Sequence, residues 1–544
     1  MVADFSYVQA GLAPELDALD LGEACEHMAT HTDCLLLEGS LAAGYVNRLV
    51  KDPALPSDPR ALAWLGHLLQ KMAQLDPFNP ALHQLTQQVA PSPETKAKAG
   101  VLAADKGAEP VLAAAARLSG RGEREAARKS LLSHLRQNPG SIRTADALLE
   151  LDAQAGFPVA DWLRRFTPLG LFQADWENRV FSTLYGRAGG AGLLGEALAA
   201  WERLDKNACR ETQFNVAASC LLRSGASDAA LPLLRRSLSL DPLQGPIARL
   251  LDELQAPFRP RPFDMADVVV CIYSFNKAEL LAQTLRSLAE CDLGQAACLV
   301  LLNGCSDSSL EAVRGVQGLF SQEAFRLIEL PVNVGAPAAR NYLIHEARKL
   351  GREFVAFLDD DVIVQQDWLP SFLTAMQDDP QLGAVGCRIL DPGEEQALQY
   401  LYRDVSIAKP GMFRLSLSAP FHAPDLGLYC YRRTTDTVMG CCHLMRSSCF
   451  DAVPGFDICF TPTQLDDVAF HLDLCLKGYK VLYLGNVECI HLRATGFNSV
   501  RTVSPSSRGN ALGNDVKFYY RFSERLDTLR EWQTRRNAGR TPRL

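Results

Sequence analysis

Three consecutive carboxylates, Asp359, Asp360 and Asp361, follow directly after the apolar segment FVAFL at residues 354–358. In an extended chain successive side chains point to opposite sides, so we expect Asp359 and Asp361 to share one side. Adjacent carboxylates repel one another, and a cation held among them removes that repulsion. Oxygen ligands favour Mg²⁺ or Mn²⁺, which can in turn bind phosphate oxygens. The triplet therefore predicts a divalent-cation site, with a solvated acidic loop as the alternative.

A second group of potential metal ligands, Cys25, His27, His31 and Cys34, lies near the start of the chain. The two histidines are four residues apart, so on a helix both imidazoles face the same way, as a zinc site requires. The polar residues just before Cys34 are typical of a helix end, and no further ligand pair accompanies the cluster. We therefore interpret these residues as ordinary buried side chains. None of the 16 cysteines forms a C-x-x-C pair, which is typical of reduced thiols in the cytoplasm.

The acidic triplet follows the last of four short apolar segments that alternate with helical patterns. The predicted strands are Val268–Ile272, Cys298–Leu302, Arg326–Leu330 and Phe354–Leu358. A helix is predicted from Pro337 to Leu350. Strands separated by helices indicate an α/β domain with a mostly parallel sheet and helices on both faces. Ligands bind beyond the carboxyl ends of such strands, which is where the polar motifs of this chain fall.

Residues 60–255 have a helical apolar pattern throughout, with little β-branched alternation. Pro77, Pro139 and Pro242 mark a recurring helix ending, at separations close to multiples of about 34 residues. Segments such as EREAARKSLLSHLRQNP resemble the second helix and closing turn of a tetratricopeptide repeat (TPR). Such repeats bury their apolar faces against neighbours and stack into a solenoid. A TPR-like helical-repeat domain is therefore predicted, with a generic helical bundle as the alternative.

These patterns divide the chain into consecutive segments. They are an N-terminal helical segment (1–59), the TPR-like repeats (60–255), a proline-rich linker APFRPRPFD (256–264), the α/β domain (265–500) and a basic C-terminal helix and tail (501–544). The C-terminal segment is interpreted as solvated, because its basic residues outnumber its acidic ones.

The order of the polar motifs is more specific than any single motif. The segments VVVCIYSFNKAELLAQTLRSL, LVLLNGCSDSS, ELPVNVGAPAARN, FVAFLDDDVIVQQDWL, VMGCCHLMRSSCFDAVPGFD and QLDDVAFHLDLCLKGYKVLYLGNVECIH occur in this order. Together they resemble a family 2 glycosyltransferase of the GT-A fold (Rossmann-like, with a mostly parallel sheet) over roughly residues 265 to 495. The resemblance implies an enzyme that transfers a sugar from a nucleotide-diphosphate sugar.

In that family the carboxylates of a D-x-D motif hold a divalent cation, Mn²⁺ or Mg²⁺, which binds the donor diphosphate. By resemblance the ligands here are Asp359 and Asp361, and His491 matches a histidine that some relatives add as a further ligand. The resemblance places these residues at the donor nucleotide: Ser274, Asn276, Asn303, Asp307, Arg340 and Asp360. Leu302 stands where the family usually has an aspartate that accepts a hydrogen bond from uracil, so the nucleobase stays open.

Asp466 and Asp467 match the Glu-Asp pair that precedes a helix in the family. Displacement at the anomeric carbon needs a base to remove the proton of the attacking hydroxyl, and a positioned carboxylate can supply it. Asp467 is the predicted base and Asp466 its neighbour. Capping of the following helix is the alternative role for this pair.

Composition excludes some functions. The 544 residues include 55 Lys and Arg against 63 Asp and Glu, a net charge of −8, whereas a duplex nucleic-acid binder needs a basic face. No apolar run approaches the roughly 18 residues that span a bilayer, and the acidic N-terminus does not resemble a signal peptide. We therefore expect a cytoplasmic protein with no nucleic-acid partner and no transmembrane segment.

The sequence thus predicts a metal-dependent inverting glycosyltransferase whose helical repeats bind a protein, either the acceptor itself or an assembly partner. A surface glycan precursor is the other acceptor class. Two alternatives remain open, a nucleotide-sugar-binding scaffold with a degenerate transferase domain and a sugar nucleotidyltransferase. The latter favours a glycine-rich, basic phosphate loop after the first strand, where this chain has YSFNKAE.

Overall fold

The computed structural model describes residues 16–537, apart from 18, 38, 106, 158, 160, 169, 188–193, 394–396, 410–411, 416–424 and 494–504. The chain divides into two compact units. The helical unit contains the described residues up to Leu251 together with Leu426–Leu428, and the sheet unit contains the remaining described residues. Within this described part of the chain, no helix is long and apolar enough to cross a membrane.

The helical unit consists of α-helices joined by short turns. In chain order they are α1 (Leu21–Cys34), α2 (Gly39–Val50), α3 (Pro59–Leu75), α4 (Pro80–Val89), α5 (Pro93–Ala104), α6 (Ala108–Gly120), α7 (Arg124–Gln137), α8 (Ile142–Gln154), α9 (Trp162–Arg165), α10 (Gln173–Arg187), α11 (Leu194–Arg203), α12 (Glu211–Arg223), α13 (Ser227–Leu240) and α14 (Gly245–Gln255). Consecutive helices pack in pairs, such as α6 with α7 and α12 with α13. The all-helical prediction is confirmed, while the assignment to tetratricopeptide repeats stays a prediction.

The segment predicted as a separate N-terminal piece (1–59) belongs, where described, to the helical unit. Helices α1 and α2 pack against α3, and the Arg48 side chain donates hydrogen bonds to the carbonyls of Leu16 and Leu19 at 3.0 and 2.6 Å. The boundary predicted at residue 59 coincides with the start of α3, because Pro59 occupies its first turn. Proline is favoured there and marks a helix start rather than the start of a domain.

The candidate metal ligands near the N-terminus lie on or beside buried faces of α1. Cys25, His31 and Cys34 are buried, and His27 Nδ1 lies 3.0 Å from the Tyr45 hydroxyl. Burial lowers the pKa of His31 to about 3, so this imidazole is neutral at physiological pH. These are the contacts of packed side chains.

The sheet unit is built on a ten-stranded mixed sheet. The strands of the unit are β1 (Val268–Ser274), β2 (Ala297–Asn303), β3 (Phe325–Leu330), β4 (Phe354–Leu358), β5 (Val362–Val364), β6 (Leu382–Leu390), β7 (Leu398–Tyr400), β8 (Val405–Lys409), β9 (Met412–Leu415), β10 (Arg432–Thr435), β11 (Cys442–Arg446) and β12 (Lys480–His491). Its helices are α15 (Ala278–Ala289), α16 (Ser309–Val316), α17 (Ala336–Arg348), α18 (Trp368–Asp378), α19 (Cys449–Ala452), α20 (Asp466–Leu476), α21 (Pro505–Phe522) and α22 (Leu526–Asn537). Strands β8 and β9 form a separate hairpin.

All four strands predicted from apolar segments are present as β1 to β4, each within two residues at either end. They run parallel in the order β4-β1-β2-β3. The wider sheet is mixed rather than mostly parallel, because β11 enters antiparallel between β4 and β6. The chain moves outward from β1 through β2 to β3 and then returns to the other side of β1. This reversal creates a switch point between β1 and β4, where loops diverge and ligands bind in such sheets.

The predicted linker and tail also pack on the sheet unit. Residues 256–264 contain no helix or strand, but Phe258 and Phe263 pack against the main apolar core. The C-terminal helices bury Phe518, Phe522 and Leu529 in a smaller apolar cluster. The interpretation of 501–544 as solvated is therefore wrong for its described part.

Buried ion pairs explain why the C-terminal segment packs on the sheet unit although it is basic. Arg536 on α22 has a side chain only 2% exposed and pairs with Asp436, while the Trp532 indole donates to the same carboxylate at 2.8 Å. Asp404 also lies near Arg536, at 3.6 Å. A count of basic residues in the sequence does not distinguish a buried residue in an ion pair from one that is exposed to solvent.

Candidate active site

The acidic triplet lies at the switch point of the sheet, immediately after β4. The backbone N–H of Asp359 donates to the carbonyl of Cys441 at 2.9 Å, which keeps the chain extended beyond the end of the strand. Asp359 and Asp361 face the same side, where their carboxylates and a nitrogen of His491 all lie within 4.8 Å of one another. Asp360 points away and accepts a hydrogen bond from Ser274 Oγ at 2.6 Å. The alternation expected from the sequence is therefore present.

The imidazole of His491 is oriented by Gln399, a residue that the sequence reasoning missed. Gln399 Nε2 donates to Asp391 at 2.7 Å, which turns its Oε1 toward His491 Nδ1 at 2.6 Å. An acceptor at Nδ1 assigns the proton to that nitrogen and leaves the lone pair of Nε2 pointing at Asp361 Oδ1, 3.1 Å away. Two acceptors facing each other are satisfied by a shared cation or proton.

The donor set fits the group that the resemblance implies. Two carboxylates and one imidazole suit Mn²⁺ and, with fewer protein ligands, Mg²⁺. Burial raises the pKa of Asp361, but a proton shared with His491 and the ammonium of Lys277 outweigh it and lower the pKa to about 2, so this carboxylate is ionised under physiological conditions. Among the described residues, Asp359, Asp361 and His491 are the group that could jointly hold a cation.

Lys277 is a second residue that the sequence reasoning missed. Its Nζ lies 2.7 Å from Asp360 Oδ1 and 2.8 Å from Asp361 Oδ2, just before the first turn of α15. Burial lowers the pKa of Lys277, but the two carboxylates outweigh burial and hold the pKa above its ordinary value. The Lys277 ammonium therefore neutralises the second and third carboxylates of the triplet, Asp360 and Asp361.

Arg340 on α17 pairs with Asp359, the first carboxylate of the triplet. Its guanidinium donates to Asp466 Oδ2 at 2.6 Å, to Asp359 Oδ1 at 3.2 Å and to the carbonyl of Gly440 at 3.2 Å. The residue is only 4% exposed, and the rings of Tyr273 and Phe456 lie on it at 5.2 and 5.3 Å. Arg340 thus bridges the candidate cation site and the second acidic pair, and its contact with the donor stays a prediction.

The two members of that second pair have different surroundings. Asp466 is buried and paired with Arg340, whereas Asp467 is half-buried and accepts hydrogen bonds from the backbone N–H groups of Gly440 at 2.7 Å and Val468 at 2.8 Å. A Cβ at position 440 would lie 2.7 Å from an Asp467 carboxylate oxygen, so the close approach requires glycine. Asp467 is thus the accessible carboxylate of the pair.

The turn before α20 is held from outside by Asn514. Gln464 and Leu465 have positive φ angles of 81° and 66°, which non-glycine residues rarely adopt. The fully buried Asn514 side chain donates to the carbonyls of Thr463 and Gln464 at 2.8 and 3.1 Å. This amide fixes the backbone that presents Asp466 and Asp467, and no sequence motif indicated it.

The remaining predicted donor residues build the turns after β1 and β2. Asn276 Oδ1 accepts from the backbone N–H of Ser306 at 2.8 Å, and Asp307 accepts from the N–H of Ala278 at 3.1 Å, so the two turns are tied together. Asn303 is 2% exposed and its Oδ1 accepts from the N–H of Val334 at 3.0 Å. Leu302 lies in the apolar core, so its side chain offers no hydrogen-bonding group to a nucleobase.

Part of the sheet unit matches a family of known proteins. Residues 269–452 match the family model of glycosyl transferase family 2. The "O-antigen biosynthesis protein RfbC" of Myxococcus xanthus is 28% identical over 160 residues, which are 28% of this chain and 12% of the relative. The chain thus spans only a small part of that relative.

Two solved structures are also similar. The mannosyltransferase PcManGT from Pyrobaculum calidifontis, in complex with GDP-Man and Mn²⁺, is 16% identical over 61% of this chain and 88% of its own, with a TM-score of 0.32. S. aureus TarS 1–349 in complex with UDP-GlcNAc is 15% identical over 45% of this chain and 66% of its own, also with a TM-score of 0.32.

The fold and the family match together define the class of the sheet unit. The parallel core reverses between β1 and β4, and the acidic triplet at this reversal lies within the residues that match the family model. The chain contains a family 2 glycosyltransferase domain over residues 269–452.

Proposed function

We propose that this chain is a divalent-cation-dependent, inverting glycosyltransferase that moves a sugar from a nucleotide-diphosphate sugar to an acceptor hydroxyl. The observation that carries the proposal is the convergence of Asp359, Asp361 and His491 at the switch point of the sheet. Arg340 joins this group directly to the acidic pair at the start of α20. Cation ligands and a candidate base therefore belong to one connected network.

Asp359, Asp361 and His491 would hold Mn²⁺ or Mg²⁺. The bound cation supplies charge neutralisation for the nucleoside diphosphate that leaves when the sugar–phosphate bond breaks. The same carboxylates, aligned by Lys277 and Arg340, fix where the donor's diphosphate lies. Orientation of this kind supplies much of the rate acceleration in a group transfer.

Asp467 is the proposed base. Its carboxylate removes the proton of the acceptor hydroxyl as the hydroxyl oxygen attacks the anomeric carbon, and the nucleoside diphosphate leaves from the opposite face. One displacement inverts the anomeric configuration. Asp466 cannot share this role while it is buried against Arg340, so it is a positioning residue. Two backbone N–H groups hold Asp467 in place without neutralising it.

The alternatives receive less support. A sugar nucleotidyltransferase favours a glycine-rich loop after the first strand, whereas Asn276 and Asp307 here tie the turn down through side-chain hydrogen bonds. A degenerate scaffold has no use for an oriented histidine facing two carboxylates, yet Gln399 maintains that geometry. The absence of an acidic group at Leu302 bears on the nucleobase and leaves the cation site intact.

A donor screen tests the proposal. The purified 544-residue chain is incubated with UDP-, GDP-, dTDP- and ADP-linked sugars and Mn²⁺, and release of the nucleoside diphosphate is measured. We expect release from at least one donor, its loss in excess chelator, and its loss in Asp361→Asn. Asp378→Asn is the matched control, because Asp378 is an exposed carboxylate paired with Arg261 on α18's surface. Undiminished release in excess chelator would contradict the cation dependence.

The helical unit is proposed to recruit the acceptor protein or an assembly partner. The support is its construction from packed helix pairs, since surfaces of this kind suit extended polypeptides. Deletion of residues 1–251 should spare nucleotide release from the donor and lower transfer to the natural acceptor. Equal transfer with and without these residues would remove the recruitment proposal.

A further inference from the structure

Lys277 and the candidate cation compete for one carboxylate. Asp361 Oδ1 faces His491, and Asp361 Oδ2 accepts from the Lys277 ammonium at 2.8 Å. A divalent cation held by Asp359, Asp361 and His491 would therefore bind beside an ammonium that already contacts one of its ligands. Two positive groups at this separation repel, so the first effect of Lys277 on the cation is unfavourable.

The charges around the triplet show what relieves this repulsion. Arg340 pairs with Asp359 and Asp466, and Lys277 pairs with Asp360 and Asp361, so four carboxylates face two fixed cations. A divalent cation brings this group to charge balance, so an ammonium displaced from Asp361 is no longer needed to neutralise the carboxylates. A diphosphate brings the opposite charge to the same place, and its oxygens can accept from an ammonium as well as bind the cation.

The Lys277 side chain is able to make this exchange. It is 25% exposed, unlike the 5% of Arg340, and its ammonium sits at the end of a flexible four-carbon stem. Its backbone lies directly before α15, whose first N–H is held by Asp307. The stem can therefore swing while its anchor stays fixed.

We propose that Lys277 is a resident counter-cation: the divalent cation displaces it from Asp361, and it then binds the diphosphate of the donor, so that cation and nucleotide bind cooperatively. The inference rests on the proposed function, because it assumes the cation site and a diphosphate donor. By linkage, whatever factor the nucleotide adds to cation affinity, the cation adds to nucleotide affinity.

The test measures binding rather than turnover. Free Mn²⁺ is followed by electron paramagnetic resonance during titration of the full-length protein, alone and with saturating UDP or GDP. The wild type should bind Mn²⁺ weakly alone and much more tightly with the nucleotide that it accepts. In Lys277→Met, Mn²⁺ alone should bind on the order of tenfold more tightly, because a charged hydrogen bond no longer competes, and the nucleotide-dependent gain should shrink by a similar factor.

Matched variants separate this role from a structural one. Lys349→Met removes an exposed lysine that pairs with Glu346, and it should behave as the wild type. Lys277→Arg keeps the charge and should retain the nucleotide-dependent gain. If Lys277→Met does not fold, the same titration of Lys277→Gln decides the question.

The outcomes are distinguishable. Unchanged Mn²⁺ affinity and unchanged nucleotide coupling in the Lys277→Met protein would overturn the inference while leaving the proposed function standing. A wild type that binds no Mn²⁺ with either nucleotide, and that releases no nucleotide from any donor of the screen, would reject both.

Discussion

Replacement of Arg340 by methionine tests the connection between the two acidic groups of the site. Methionine keeps the length and apolar stem of the side chain but removes the guanidinium. In the structure this leaves the buried Asp466, the carboxylate of Asp359 and the carbonyl of Gly440 without their shared donor. We expect the ends of β4 and α20 to lose stability, because these elements meet at this guanidinium.

The size of the loss follows from burial. Arg340 is 4% exposed and Asp466 is 1% exposed, so the remaining carboxylate stays in the interior without a counter-charge. Removal of one partner from a buried ion pair costs about 3–5 kcal/mol. Adding Asp466→Asn to Arg340→Met should recover part of this cost, since a neutral amide needs no counter-charge, and the coupling between the two changes should be about 1–3 kcal/mol.

Hydrogen exchange read by mass spectrometry is the appropriate assay, because a chain of two units does not unfold in a single step. A loss of about 4 kcal/mol accelerates exchange on the order of 10³-fold in peptides spanning 354–361 and 466–476. Arg326→Met is the control, since Arg326 is half exposed and lies 3.7 Å from Glu346. Near-normal exchange together with lost nucleotide binding would refute the structural role and support the donor contact predicted from the sequence.

Three further predictions concern neighbouring groups. Asp467→Asn should lower turnover by about 10²–10⁴-fold while nucleotide binding measured by calorimetry survives, and a dead Asp466→Asn beside an active Asp467→Asn would reverse the assignment of the base. Burial lowers the pKa of His471 to about 4. Between pH 6.5 and 4 the unfolded chain therefore binds more protons than the folded chain. Lowering the pH through this window reduces the free energy of unfolding by up to about 3 kcal/mol. Protection of the peptide spanning 466–476, read by hydrogen exchange and corrected for the intrinsic pH dependence of exchange, should therefore vary less with pH in His471→Asn, and an unchanged pH dependence would contradict this. Asn514→Ala should reduce kcat by roughly tenfold with KM unchanged, because the turn before α20 loses two hydrogen bonds worth about 1 kcal/mol each. Equal losses in kcat and nucleotide affinity would indicate general unfolding instead.

The strands of the sheet core could be predicted because their signal is local. β1, β2 and β4 are continuous apolar runs between helical patterns, as expected for strands buried on both faces, whereas β3 is an edge strand that contains Arg326 and Glu329. The antiparallel entry of β11 could not be predicted, because strand direction depends on which partner the chain meets after a long excursion. The apolar content of a strand is the same in either direction.

The candidate site likewise contains residues that the sequence predicted and residues that it did not. Asp359, Asp361, Asp466 and Asp467 were found because they form short motifs at the ends of predicted elements. Gln399 and Lys277 were missed, because each acts on a partner far away in the chain, 92 residues for Gln399 and His491 and 83 residues for Lys277 and Asp360. No motif lies beside Gln399, and Lys277 follows the predicted donor residue Asn276 but is of a type that is usually exposed to solvent.

The sequence by itself determined the order of elements, the acidic motifs at the carboxyl ends of the strands and the change from a helical to an α/β pattern. Only the tertiary structure decided what neutralises those acidic groups. Arg340 lies buried between Asp359 and Asp466, and the basic C-terminal helix was expected in solvent and instead packs through Arg536 against Asp436. The physical reason is common to both: the energy of a charge depends on its burial and on its nearest opposite charge, and both are properties of the folded chain rather than of the residue.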